Sequence, residues 1–95
     1  MVHIVVVFVE AKPESVEAVK KRMTEAGKIY EKDPGTLEFS LKQDVTNPQK
    51  FVIVERYDQE SSLNEIHRKN PIFAETVAWL RENVVKPNEP HHISA

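Results

Sequence analysis

The chain has 95 residues, 40% of them hydrophobic and 29% charged, with a net charge of -2 and no cysteine. This suits one domain over residues 1–95 and lacks the basic surplus that draws proteins to nucleic acid or anionic membranes. Without cysteine there are no disulfides, thiolate metal sites or thiol nucleophiles, and 2 glycines are too few for a glycine-rich phosphate loop.

Val2 to Val9 is nearly all β-branched and apolar on both alternating faces, Val2, Ile4, Val6 and Phe8 on one and Val5, Val7 and Val9 on the other. That predicts a strand covered on two sides, central in its sheet. The run is too short for a secretory signal, lacks a basic leader and is followed by Glu10 and Lys12. It also falls far below the ~20 residues of a membrane helix, so the expectation is a cytoplasmic protein with no membrane partner. Pro13 suits the first turn of a helix. Val16, Val19, Met23, Ala26 and Tyr30 then recur at steps of three and four, one buried helical stripe, before Asp33-Pro34-Gly35 turns the chain.

Thr36 to Gln43 alternates, with Leu37, Phe39 and Leu41 on one face, and predicts a half-buried strand. A turn over Asp44 to Lys50 leads into Phe51 to Tyr57, so the two strands form an antiparallel hairpin. In the second of them Phe51, Ile53, Glu55 and Tyr57 share a face that starts apolar and ends polar, as a pocket lining would. Ser62 with Glu65 three residues later predicts a capping box opening a short helix that carries His67. Pro71 stops that helix and holds Asn70 extended. Phe73, Val77, Leu80 and Val84 form a second stripe, flanked by Ile72, Thr76 and Trp79, and His91-His92-Ile93 reads as a short final strand.

Strand, helix, strand, strand, helix, strand is the ferredoxin-like βαββαβ pattern, an α+β fold with an antiparallel sheet. Helices cover one sheet face only. The doubly apolar first strand therefore predicts a homodimer whose sheets pack face to face.

The chain resembles the antibiotic biosynthesis monooxygenase family, small dimeric α/β-barrel proteins that include quinol monooxygenases. The resemblance is carried by Val9-Glu10-Ala11-Lys12-Pro13, Asp33-Pro34-Gly35-Thr36-Leu37, Phe51 to Tyr57, Leu63, and His67 to Phe73. It departs from the family at Tyr57, where tryptophan is frequent, and at Asn70-Pro71-Ile72-Phe73, where Ser-Pro-His-Phe is frequent. It lacks the asparagine of the haem-degrading branch, and His67 stands where that branch has tryptophan, so haem cleavage is not implied.

What the resemblance implies is oxygenation of a hydroquinone or phenol by molecular oxygen, with no cofactor, neither metal nor flavin. The protein would deprotonate the substrate, hold the anion beside oxygen and exclude water. His67 would be the base, Tyr57 would donate to the developing oxyanion, and Glu55 would orient His67 or take the proton itself. Phe39, Phe51 and Phe73, with Tyr57, would stack the ring. The plain structural readings stand beside these: His67 as a packing histidine, Glu55 in an ordinary ion pair, Tyr57 as half-core. His3, His91 and His92 read as surface residues, and no ligand spacing among the histidines suggests a metal. The competing reading is a non-oxygenase of the same fold, a small-carbonyl isomerase or a ligand-binding or stress-response dimer.

Overall fold

The computed structural model describes residues 1–95. Four strands, β1 (His3–Glu10), β2 (Thr36–Gln43), β3 (Lys50–Tyr57) and β4 (Glu89–Ser94), and two helices, α1 (Val16–Tyr30) and α2 (Phe73–Glu82), follow one another in the order βαββαβ. The sheet order is β2-β3-β1-β4 and all neighbours are antiparallel. This is the ferredoxin-like arrangement, with β1 and β3 central. No helix is long and apolar enough to cross a membrane.

The helix-facing side of the sheet and the stripe of α1 make one core. Val5, Val7 and Val9 of β1 and Phe51, Ile53 and Tyr57 of β3 meet Val19, Met23, Ala26 and Tyr30 of α1. The predicted α1 stripe is therefore the buried one, with Val16 packed at its margin. Gly35 turns the chain into β2 at φ 85°, a conformation open to glycine at little cost. A Cβ there would collide with Ser62 and Asp58.

The opposite face carries no helix. Val6 lies opposite Val54, Phe8 opposite Val52, and Ile4 opposite Ile93, so these six side chains form one continuous apolar band. Phe8 is 49% exposed and Ile93 52% exposed.

Several expectations change. The first strand begins at His3 rather than Val2 and runs on through Glu10. Leu37 does not join Phe39 and Leu41: a bulge between Thr36 and Glu38 rotates it outward, leaving it 49% exposed. The capping box does not form. The Ser62 hydroxyl donates instead to the Asp58 carboxylate, and Ser62–Ile66 winds as a single π-helical turn followed by a 3₁₀ turn, His67–Lys69. In α2 the buried positions are Thr76 and Leu80, with Phe73 and Val77 half-buried. Val84 lies past the helix end, in an isolated bridge to Ala11. The final strand extends over Glu89–Ser94 and pairs with β1, tolerating Pro90 because it is an edge.

Candidate active site

Strand alternation places Glu55 and Tyr57 on the helix-facing side of β3. The π-helical turn brings His67 above them: an extra residue per turn re-aims the chain, as such turns often do near functional groups. Asn70 anchors this segment. Its Nδ2 donates to the Asp33 carboxylate at 2.9 and 3.0 Å, and its Oδ1 accepts the Ile72 N–H at 3.0 Å.

The Tyr57 hydroxyl donates to Glu55 Oε1 at 2.6 Å. His67 Nε2 lies 3.7 Å from the same oxygen, too long for a hydrogen bond. His67 is held by rings rather than by polar partners. Tyr30 and Phe73 stand edge-on at 4.3 and 5.1 Å between centroids, with Phe39 and Tyr57 tilted at 5.6 and 5.5 Å. Its Nδ1 is buried without a partner.

Burial sets the electrostatics. Glu55 is pushed up to about 7, mainly by desolvation, against the Tyr57 hydrogen bond and the positive charge of Arg68, which both favour the carboxylate. His67 is pushed down to about 4, again mainly by burial. At neutral pH the pair is thus a neutral imidazole beside a carboxyl near its midpoint, not an ion pair. Desolvation and the adjacent carboxylate raise the Tyr57 phenol well above its usual range, so it stays a donor. Burial also raises Tyr30.

A cavity of about 600 Å³ opens beside this cluster. Glu55, His67, Phe39 and Phe73 all line it, as does Tyr30. Two of the expected site residues do not. Phe51 is packed in the core toward the other end of β3, because a shared strand face says nothing of distance along the strand. Tyr57 is fully buried behind Glu55, and its hydroxyl is committed to that carboxylate rather than free for an oxyanion. Glu55 makes no ion pair with a lysine or arginine; Arg56, on the opposite face, pairs with Glu38 at 3.5 Å. Trp79 packs half-buried at the core margin under the Arg22 guanidinium, 4.9 Å from the ring.

Sequence reasoning missed Tyr30, whose polar tip at the end of an apolar stripe was the available signal. It also missed three cations on the cavity wall: Arg68, Arg81 and Lys86. His3 and His92, read as surface residues, do meet each other, Nε2 to Nδ1 at 3.0 Å. No group of three or more potential metal ligands is present.

The chain resembles known proteins in its fold. The antibiotic biosynthesis monooxygenase family model matches residues 2–79. No curated protein sequence matches the chain. Among solved structures, a Nitrosomonas europaea protein provisionally named an antibiotic biosynthesis monooxygenase superposes with a TM-score of 0.93 at 17% identity, covering 99% of this chain and 89% of that one. Rv0793 from Mycobacterium tuberculosis superposes with a TM-score of 0.91 at 18% identity, covering 100% of this chain and 95% of that one. A Bacteroides thetaiotaomicron protein described as a possible oxidoreductase gives 0.88 at 20% identity, covering 97% of this chain and 95% of that one. At these identities the likeness is one of fold. With the family model spanning residues 2–79 of the 95, the chain belongs to the antibiotic biosynthesis monooxygenase family.

Proposed function

We propose that the protein oxygenates a small electron-rich aromatic, a hydroquinone or phenol, using molecular oxygen and the substrate's own electrons. The observation that carries this reading is Glu55: a buried carboxyl tuned close to neutral pH, at the edge of an aromatic-lined cavity. A general base works best when its pKa lies near the operating pH. Glu55 therefore takes the role of base that the sequence assigned first to His67, whose low pKa makes it a weak proton acceptor. His67, Phe39 and Phe73 form an aromatic wall against which a flat ring stacks. Tyr57 holds the Glu55 carboxylate in place through its hydrogen bond.

The reaction balances without an outside reductant. A hydroquinone loses a proton to Glu55, and its electron-rich ring reduces oxygen. One oxygen atom enters a ring C–H position and the other leaves as water, giving a hydroxyquinone. The chain does this as a homodimer, the apolar band of Ile4, Val6, Phe8, Val52, Val54 and Ile93 closing on its copy.

Oxygen uptake with a panel of quinols tests the proposal. Uptake that depends on the wild-type protein and falls at least tenfold in Glu55→Gln supports it. No uptake with any quinol, while ligands still bind, favours the non-oxygenase reading.

A further inference from the structure

We propose that the substrate carries an anionic group, such as a carboxylate, set apart from the ring that reacts, and that Arg81 and Lys86 receive it. This rests on the aromatic-site reading above and adds the substrate's charge to it.

The cavity lining combines two chemistries. Rings surround His67 and Glu55 at the buried part. The same lining also carries Arg68 from the 3₁₀ turn, Arg81 from α2 and Lys86 from the segment leading to β4. Three separate parts of the chain thus bring cations to one cavity, in a protein whose net charge is -2. None of the three is neutralised: the cation–carboxylate pairs of the chain are Arg22–Glu75 and Arg56–Glu38, and the histidine–carboxyl contacts, His67–Glu55 and His91–Glu89, involve none of them either. The only carboxyl on the lining is Glu55 itself.

A cleft walled by one sign of charge and by apolar surface concentrates its field on whatever enters. A guanidinium matches a carboxylate in a paired, planar geometry. Arg68 acts at the inner part, since its charge reaches both buried groups, lowering the proton affinity of Glu55 and of His67. Arg81 and Lys86 are not among the charges that act on Glu55 or His67, which leaves them for a group displaced from the reacting ring. Asn88, also on the lining, has a buried Oδ1 without a donor, a place for a substrate hydroxyl.

The test compares a hydroxynaphthoate with its methyl ester by calorimetric titration of the wild-type protein. The acid is expected to bind about tenfold tighter or better, with the advantage shrinking as salt rises from about 10 to about 500 mM. In Arg81→Gln/Lys86→Gln the advantage disappears. Should the double variant unfold, Lys86→Gln alone is expected to reduce the advantage severalfold. Equal binding of acid and ester, or an advantage that survives neutralisation, overturns the anion preference and leaves the aromatic site standing. Binding of neither compound overturns the aromatic site and the preference with it.

Discussion

The Tyr57 hydroxyl stands 2.6 Å from Glu55 Oε1 and donates its proton to it, with both side chains buried on the same face of β3. A hydrogen bond to the charged form favours that form, so Tyr57 restrains the rise that burial imposes on Glu55. Tyr57→Phe removes the restraint. The Glu55 pKa is expected to move further up, and the acid limb of any pH–rate profile to move with it. Carbon-detected NMR of labelled glutamate reads the shift directly; a Glu55 pKa that stays put or falls in the variant contradicts the account. Loss of a buried hydrogen bond also destabilises the fold by about 1–3 kcal/mol.

Glu55 and His67 pull the pH dependence of stability in opposite directions. The folded pKa of Glu55 is raised to about 7, so the native state holds a proton that the unfolded chain has released. Its contribution is full below the unfolded value and is lost as pH rises through 7. The folded pKa of His67 is lowered to about 4, so its contribution is present above the unfolded value of 6.5 and lost as pH falls through 4. Between about 4.5 and 6.5 the two slopes cancel. Glu55→Gln is expected to uncover the histidine slope, with stability rising with pH over that window by roughly 3 kcal/mol. His67→Phe should uncover the reverse slope. Urea melts across pH measure both; parallel profiles for the two variants would refute the assigned shifts.

Much of this was legible in the chain because it depends on period alone. Strict alternation in Phe51 to Tyr57 puts Glu55 and Tyr57 together, and the three-four spacing from Val16 to Tyr30 marks the buried stripe of α1. What period cannot carry was read differently. Leu37 fits the alternation, but a bulge absorbs one residue and turns it outward. Ser62 and Glu65 have capping-box spacing, yet a carboxylate at Asp58, one turn back, captures the hydroxyl first. Phe51 and Phe39 look equivalent as aromatic strand residues, but the hairpin register sets Phe39 opposite Glu55 and Phe51 opposite Gln43, so only Phe39 reaches the cavity. The cations of the wall converge from three segments, a relation no local pattern encodes.

Gly27 sits in the interior of α1, where glycine ordinarily costs about 1 kcal/mol relative to alanine. Here the helix lies against β2 so closely that an added Cβ would be 2.8 Å from the Phe39 carbonyl oxygen. Backbone cannot give way as a side chain can. Gly27→Ala is therefore expected to destabilise by about 1–3 kcal/mol despite the better helix propensity. Phe39, which packs on Tyr30 and His67, would shift with it. Chemical denaturation settles the sign, and a variant more stable than the parent would show that the helix can lift away from the strand freely.

Val54 lies at the middle of the helix-free sheet face, opposite Val6 on one side and Ser40 on the other. A contiguous apolar band of this kind is rare on a surface that stays in water. Packing against the same band of a second chain removes it from solvent on both copies, as isologous two-fold interfaces do. Val54→Lys places two like charges across that axis without touching the helix-facing core. The expected outcome is a wild-type dimer and a folded Val54→Lys monomer at micromolar concentration, read by size exclusion with light scattering and checked by circular dichroism. Activity should fall with the dimer if the second copy also steadies β1 and β3, the strands that carry Val5, Val7, Ile53 and Glu55 into the cavity. A wild-type protein that elutes as a monomer at those concentrations, with the band open to water, would remove the dimer from the proposed function while leaving Glu55 and its cavity intact.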